Sequence, residues 1–162
     1  MPITIETGAG LSNADSYASV ADCTSYAADM GLAFAGTTSA QEAALRKATL
    51  YLDTMYRFGG VKRSRNQALQ WPRVGAMLDG YELTPDSIPA KVVKACCELA
   101  IRAMSADLVT DVSPAVVTEE TVGPITTKYG PHRNGGQSRY AVVDALLSGL
   151  AGSTSTVRVE RA

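Results

Sequence analysis

The residue types with the clearest chemical potential lie between Arg57 and Arg73, where positive charges surround the single tryptophan of the chain. This stretch contains five basic residues and no acidic residue, which gives it a local charge of +5. Lysine and arginine pair with phosphates, and a tryptophan ring can stack on a nucleic-acid base. The stretch is therefore a candidate contact with DNA or with another partner. Its candidate contact residues are Lys62, Arg63, Arg65, Trp71 and Arg73.

Two other interpretations of this stretch stay open at this point. Pro72 directly follows Trp71, and such a rigid pair favours a core anchor beneath a solvated loop. The positive charge could also bind an acidic protein partner. The whole chain has 15 basic and 16 acidic residues and a net charge of −1, whereas proteins dedicated to wrapping DNA are usually basic.

The remaining reactive side chains form no pattern that supports catalysis or metal binding. The single histidine, His132, lies in a Gly/Pro-rich stretch without a serine or cysteine nucleophile motif. Glu119 and Glu120 are adjacent on a predicted strand, so their side chains point to opposite faces. The three cysteines have no C-x-x-C spacing and are expected to be buried free thiols. We therefore expect a protein that is not an enzyme, with no catalytic residues, cofactor or metal.

Capping signals and apolar periodicity predict two helices in the first half of the chain. A Ser-x-x-Asp capping box at Ser19 begins a short helix, and Gly31 is suited to end it. A Ser-x-x-Glu box at Ser39 begins a longer helix, which Gly59 and the glycine after it would stop.

Two further helices are predicted in the second half. The longest begins with Pro89 as its first helical residue and runs to about Ala106. It is apolar around most of its circumference, which predicts a position in the middle of the fold. A last short helix contains Val143 and Leu150 and ends at Gly152.

Between the helices, the pattern predicts one β-hairpin and one long loop. Residues 116–122 and 125–129 alternate with a period of two, which is typical of paired strands. Residues 61–87 have no clear periodicity and are expected to form an ordered loop. Residues 1–18 are predicted to be an extended N-terminal arm, and residues 153–162 a C-terminal tail.

These elements predict a mainly α fold, a small bundle of about four helices with one β-hairpin and extended N- and C-terminal arms. The length of 162 residues suits a single domain over residues 1–162. No signal peptide is visible, and no apolar run approaches the length of a membrane span.

The C-terminal tail has two interpretations. Most chain ends are frayed, but alternating Val and charged residues here could add a strand to the edge of a neighbouring sheet. The candidate docking residues are Thr156, Val157, Arg158, Val159 and Glu160.

Three motifs occur in a characteristic order. They are Ala14-Asp15-Ser16-Tyr17 followed by Ser19-Val20, then Leu69-Gln70-Trp71-Pro72-Arg73, then Ala95-Cys96-Cys97-Glu98-Leu99-Ala100, with Tyr51-Leu52-Asp53 between the first two. Over roughly residues 3–150 the chain resembles a family of tailed-phage head–tail connector (adaptor) proteins. Members of that family often carry the label of DnaT-like single-stranded-DNA-binding protein.

The resemblance implies a bacteriophage virion structural protein, a subunit of a ring that continues the DNA channel under the portal and joins it to the tail. The implied partners are further copies in a twelve-fold oligomeric ring, the portal protein, tail or neck proteins and the genomic DNA in the channel, with no membrane. The implied location is the virion neck, after assembly in the host cytoplasm. The tail after Gly152 becomes a candidate portal- or neighbour-docking segment. The alternative function is a single-stranded-DNA-binding, DnaT-like replication module that uses the basic stretch.

Overall fold

A computed structural model describes residues 2–109, 119–122, 125–128 and 140–152. These residues contain four helices and eight short strands. The helices are α1 (Val20–Asp29), α2 (Thr38–Met55), α3 (Ala90–Ala103) and α4 (Ala141–Leu147). The strands are β1 (Arg57–Phe58), β2 (Val61–Lys62), β3 (Arg73–Val74), β4 (Met77–Leu78), β5 (Tyr81–Glu82), β6 (Glu119–Val122), β7 (Ile125–Lys128) and β8 (Ala151–Gly152).

Helix α1 confirms the predicted capping box. The Ser19 hydroxyl accepts from the Asp22 backbone N–H at 3.0 Å, and the Asp22 carboxylate accepts from the Ser19 N–H at 2.9 Å. Helix α2 begins earlier than predicted, because Thr37 and not Ser39 is its N-cap. The Thr37 hydroxyl accepts from the Ala40 N–H at 3.3 Å, which leaves Ser39 inside the first turn.

Helix α3 lies in the middle of the fold, as its apolar circumference predicts. It contacts α1, α2 and α4, and seven of its residues are buried. Pro89 is the N-cap and not the first helical residue, and the helix ends at Ala103, before the predicted Ala106. Cys23, Cys96 and Cys97 are buried and free, which confirms the prediction for the thiols.

The predicted hairpin is present as the antiparallel pair β6–β7, with Glu119 opposite Lys128 and Val122 opposite Ile125. It belongs to a separate compact unit, Val109–Arg139, while Met1–Leu108 and Tyr140–Ala162 form the other.

The prediction of one hairpin and a long loop without strands is incomplete. Strand β1 pairs with β8, β2 pairs with β3 and β4 pairs with β5, each as a two-residue antiparallel ladder. Gly152, which was expected to end the last helix, lies in β8. The described residues therefore form a small mixed fold, in which the four predicted helices are confirmed and the short ladders were missed.

The extended arm predicted for residues 1–18 is not seen in its described part, residues 2–18. The Asp15 N–H donates to the Thr4 carbonyl at 2.8 Å and the Glu6 N–H to the Ser16 carbonyl at 2.9 Å, so the segment folds back on itself. Tyr17 is buried against the helices. Its burial explains the difference, because an apolar ring removed from water holds the segment on the body.

Two sequence predictions lie outside the described residues. They are the exposed loop position of His132 and the docking tail of residues 156–160. Across the described part of the chain, no helix is both long enough and apolar enough to span a bilayer.

Candidate nucleic-acid interface

The basic stretch of residues 57–73, called the basic loop below, is held by two short ladders, of which β1–β8 joins it to the C-terminal part of the fold and β2–β3 closes it on itself. Its first residue, Arg57, pairs with Gly152 in the β1–β8 ladder, and the Gly59 N–H donates to the Leu150 carbonyl at 3.2 Å. Its last residue, Arg73, pairs with Lys62 across β2 and β3. Both ends of the loop are therefore held by backbone hydrogen bonds.

A phenol–carboxylate pair holds the backbone just before the tryptophan. The Tyr17 hydroxyl donates to Asp53 Oδ1 at 2.5 Å. The Gln70 N–H donates to both the Tyr17 hydroxyl and Asp53 Oδ2 at 3.0 Å, and the Trp71 N–H donates to the Tyr17 hydroxyl at 3.2 Å. The N-terminal segment and α2 thus fix the basic loop in one place.

Burial controls the protonation of this pair. It raises the pKa of Asp53 above its ordinary value, although bonds from Tyr17 and Gln70 and the charges of Lys62 and Arg73 act in the opposite direction. Burial, together with the charge of Asp53, also raises the pKa of Tyr17 well above its usual range. Tyr17 therefore stays a neutral donor to Asp53.

Trp71 is a core residue and not an exposed stacking platform. Its side chain is 0% exposed and packs edge-to-face with Phe58, with ring centroids 5.6 Å apart. A base can stack only on an aromatic face that solvent can reach. The prediction of Trp71 as a DNA contact is therefore wrong, and the alternative of a core anchor beneath the loop is the one the structure supports.

Arg73 is also turned inward. Its side chain donates through Nε to the Gly59 carbonyl at 2.6 Å and through Nη2 to the Gly60 carbonyl at 2.7 Å. Nη1 donates to the carbonyl and the side-chain oxygen of Gln70 at 3.1 and 3.0 Å. Arg73 is 8% exposed, its guanidinium braces the loop, and burial lowers its pKa. The prediction of Arg73 as a partner contact is wrong, because its donors are used inside the loop.

Gly60 permits the close approach that this brace requires. Its φ is +72°, and a Cβ at this position would lie 2.4 Å from the Val74 carbonyl oxygen and 2.8 Å from the Ala76 nitrogen. A side chain at position 60 would therefore push β2 away from the chain that follows β3.

The other positive side chains of the basic loop face solvent. The side chains of Lys62 and Arg65 are exposed and make no hydrogen bond or ion pair with any residue that the structure describes. Arg63 is also exposed, and its Nη1 donates to the Gly8 carbonyl at 2.5 Å, which orients the guanidinium. Arg57 is exposed on β1 and was not among the predicted candidates, although its place in the acid-free stretch was a signal. Four exposed cations are therefore presented on a backbone held in place.

A groove of about 600 Å³ lies next to this region, and the Arg46 cation in its lining is paired with carboxylates. The groove is lined partly by Asp15, Arg46 and Ala68. The Arg46 guanidinium lies 3.6 Å from the Asp15 carboxylate and 3.9 Å from that of Glu42. Two carboxylates thus neutralise its charge, so the phosphate-binding candidates lie on the loop and not in the groove.

Comparison with known proteins gives one match. No curated protein and no solved structure matches the chain. The sequence model of one family, described as "Putative DnaT-like ssDNA binding protein", matches residues 1–162.

This description corrects part of the sequence-based interpretation. It concerns binding of single-stranded DNA and contains nothing of a virion neck, so the assignments as a head–tail connector, adaptor and portal-binding protein are withdrawn. The prediction that DNA is a partner agrees with the family description. Because the match covers the whole sequence, the chain belongs to the DnaT-like single-stranded-DNA-binding family.

Proposed function

We propose that this protein binds single-stranded DNA through the exposed cations of the basic loop. The observation that carries the proposal is the presence of four exposed cations on a braced loop with no acidic residue from 57 to 73. Each cation can neutralise a phosphate and release the counterions condensed on it. The proposed phosphate contacts are Arg57, Lys62, Arg63 and Arg65.

The internal bonding of the loop favours this function. Binding costs free energy when a flexible segment must be ordered, and a loop that is ordered beforehand avoids much of that cost. Tyr17, Asp53 and Arg73 hold the loop from inside, so the outward cations are presented before any DNA arrives.

The net charge of −1 limits the expected affinity and does not prevent binding. At about 0.1 M salt the Debye length is about 10 Å, so acidic residues farther away are largely screened at the loop. The attraction is therefore local, and binding is expected to weaken steeply as salt increases.

The proposal is tested by fluorescence anisotropy with a labelled oligothymidylate and unlabelled duplex as competitor. The double variant Lys62→Gln/Arg65→Gln is compared with Lys91→Gln/Lys94→Gln, which removes the same charge from α3. We expect weaker binding for the loop variant and near-normal binding for the α3 variant. Equal losses in the two variants, or no binding by the wild type at low salt, would contradict the proposal.

This proposal replaces the connector ring as the leading function. Neither the geometry of the described residues nor the family description supports a portal partner. The absence of enzymatic activity and the virion location stay predictions.

A further inference from the structure

The proposed phosphate contacts leave one part of the ligand without a partner, namely the bases. Proteins that bind single strands without sequence preference usually combine cations with exposed aromatic rings on which bases stack. Within the basic loop, Trp71 and Phe58 are both buried and pack on each other. A base-stacking ring must therefore lie outside residues 57–73.

Tyr81 has the exposure that such a ring requires. Its side chain is 79% exposed, more than any other large hydrophobic side chain among the described residues. It lies on β5 opposite Leu78 of β4, next to a two-residue turn. The turn residues Asp79 and Gly80 have φ of 52° and 87°, as a tight type I′ hairpin turn requires.

The hairpin that carries Tyr81 is fixed to the fold. Leu78 packs against the core cluster, and its Cδ1 lies 3.4 Å from where a Cβ on Gly149 would be. The Leu83 N–H donates to the Ala76 carbonyl at 2.8 Å, which closes the base of the hairpin. Tyr81 is thus an exposed ring on a short, anchored hairpin.

Two exposed apolar side chains at the β2–β3 ladder, called the apolar strip below, precede this ring in the chain. They are Val61 and Val74, which are paired across β2 and β3. Four extended residues from Val74 to Leu78 span at most about 14 Å, and the step across to Tyr81 adds about 5 Å. A single strand of the usual site size, about 4–16 nucleotides, can cover both features.

We propose that Tyr81 stacks on a base of the single strand whose phosphates contact the basic loop, an inference that rests on the function proposed above. Asp79 and Glu82 flank the ring on the hairpin and repel phosphates. The sugar–phosphate backbone therefore runs along the basic side, and a base extends over Val61 and Val74 toward Tyr81.

The test measures oligothymidylate affinity and its salt dependence for Tyr81→Ala, Tyr81→Phe and a control variant, Leu50→Ala. Leu50 is also a large exposed apolar residue, but it lies on α2. Loss of one stacked base predicts about 5- to 150-fold weaker binding for Tyr81→Ala. The salt slope is expected to stay unchanged, because no phosphate contact is lost. Tyr81→Phe keeps the ring and is expected to retain most of the affinity.

The possible failures are distinguishable. Normal, salt-dependent binding by Tyr81→Ala overturns the stacking role and leaves the basic-loop function standing. A wild type that does not bind at low salt removes both proposals. A fall in affinity that Tyr81→Phe shares in full, or that Leu50→Ala matches, also contradicts stacking. A changed solution mass of Tyr81→Ala with unchanged DNA affinity would show that the strip contacts protein instead.

Photocrosslinking gives an independent measurement on the unmodified chain. An oligonucleotide that contains 5-iodouracil is irradiated with the full-length protein, and the crosslinked peptide is identified by mass spectrometry. A crosslink at Tyr81 supports the proposal, whereas crosslinks confined to other aromatic residues contradict it.

Discussion

Helix α3 and the basic loop each bury a charged side chain, and they compensate the charge in different ways. In α3, Glu98 is buried, accepts from the Tyr26 hydroxyl at 2.8 Å and pairs with Arg102 one turn later. In the loop, Arg73 donates mainly to backbone carbonyls. The N–H groups of a helix interior are already used, so the Glu98 carboxylate needs side-chain donors, whereas an irregular loop has free carbonyls that the Arg73 guanidinium can bind.

The consequence for function is visible in one cross-strand residue pair of the β2–β3 ladder. Lys62 and Arg73 are directly opposite each other in β2 and β3, yet Lys62 is exposed and Arg73 is buried. The buried cation holds the loop together, and the exposed cation is available for phosphate. Residues of the same charge in one loop therefore have separate roles, and variants of these residues should differ in stability and in DNA binding.

The largest effect is expected from removing the core anchor of the loop. Trp71→Ala should lower the free energy of unfolding by about 3–5 kcal/mol, because it deletes a fully buried ring. Trp71→Phe should cost less, because an aromatic ring still packs on Phe58. It also removes the buried indole Nε1, which has no acceptor among the described residues. Urea unfolding measures both variants. A loss below about 1 kcal/mol for Trp71→Ala would show that the loop does not depend on this anchor.

The next prediction compares the two cations on one rung. Arg73→Gln should cost about 1.5–3 kcal/mol, because the buried guanidinium loses its hydrogen bonds to the carbonyls of Gly59 and Gly60. Lys62→Gln should change the free energy of unfolding by less than about 0.5 kcal/mol, as exposed substitutions usually do. Chemical denaturation of the two variants side by side checks this difference. Similar losses of unfolding free energy for both variants would contradict the assignment of Arg73 as the structural cation and Lys62 as the exposed one.

A smaller effect is expected at the hydroxyl that holds the loop backbone. Tyr17→Phe removes the acceptor of the Gln70 and Trp71 N–H groups and should cost about 1–2 kcal/mol. Tyr26→Phe removes the hydroxyl that donates to Glu98 and serves as the control on α3. We expect DNA affinity to fall for Tyr17→Phe and to stay normal for Tyr26→Phe. Unfolding and anisotropy measurements on both variants test this, and equal DNA affinities would contradict a role of Tyr17 in positioning the loop.

The smallest effect is a pH dependence from Asp53, whose pKa is raised by burial above its ordinary value of 3.8. The folded state holds this proton more tightly, so the contribution of Asp53 to stability is present below the ordinary value and is lost as pH rises through the folded pKa. The stability of Asp53→Asn relative to wild type should therefore increase from about pH 4 to about pH 7. Denaturation at both pH values measures this, and a relative decrease would contradict the raised pKa.

The helices could be predicted because their signals are local. Ser19 and Asp22 lie one turn apart, and the apolar circumference of α3 is visible in consecutive residues. The ladders could not be predicted, because Arg57 pairs with Gly152 near the other end of the chain and each ladder has only two residues per strand. Such short pairings leave no period to detect.

The candidate interface was predicted in its location and only partly in its residues. Acid-free composition marked the basic loop as the candidate, but composition cannot show that Arg73 and Trp71 are buried. That depends on carbonyls and rings brought together by the fold. Tyr81 was missed because an isolated tyrosine between two acidic residues has no distinctive pattern, and only its exposure in the structure marks it.

The central claim is that the exposed cations of the basic loop bind DNA, while its buried residues hold the loop in place. It is tested most directly by the salt dependence of oligothymidylate affinity for Lys62→Gln/Arg65→Gln, with urea unfolding of the same samples. Each lost phosphate contact on a single strand lowers the slope of log K against log salt by about 0.7, so the predicted change is about 1.4. The free energy of unfolding should stay within about 0.5 kcal/mol of wild type. A wild-type slope in this variant would contradict the account.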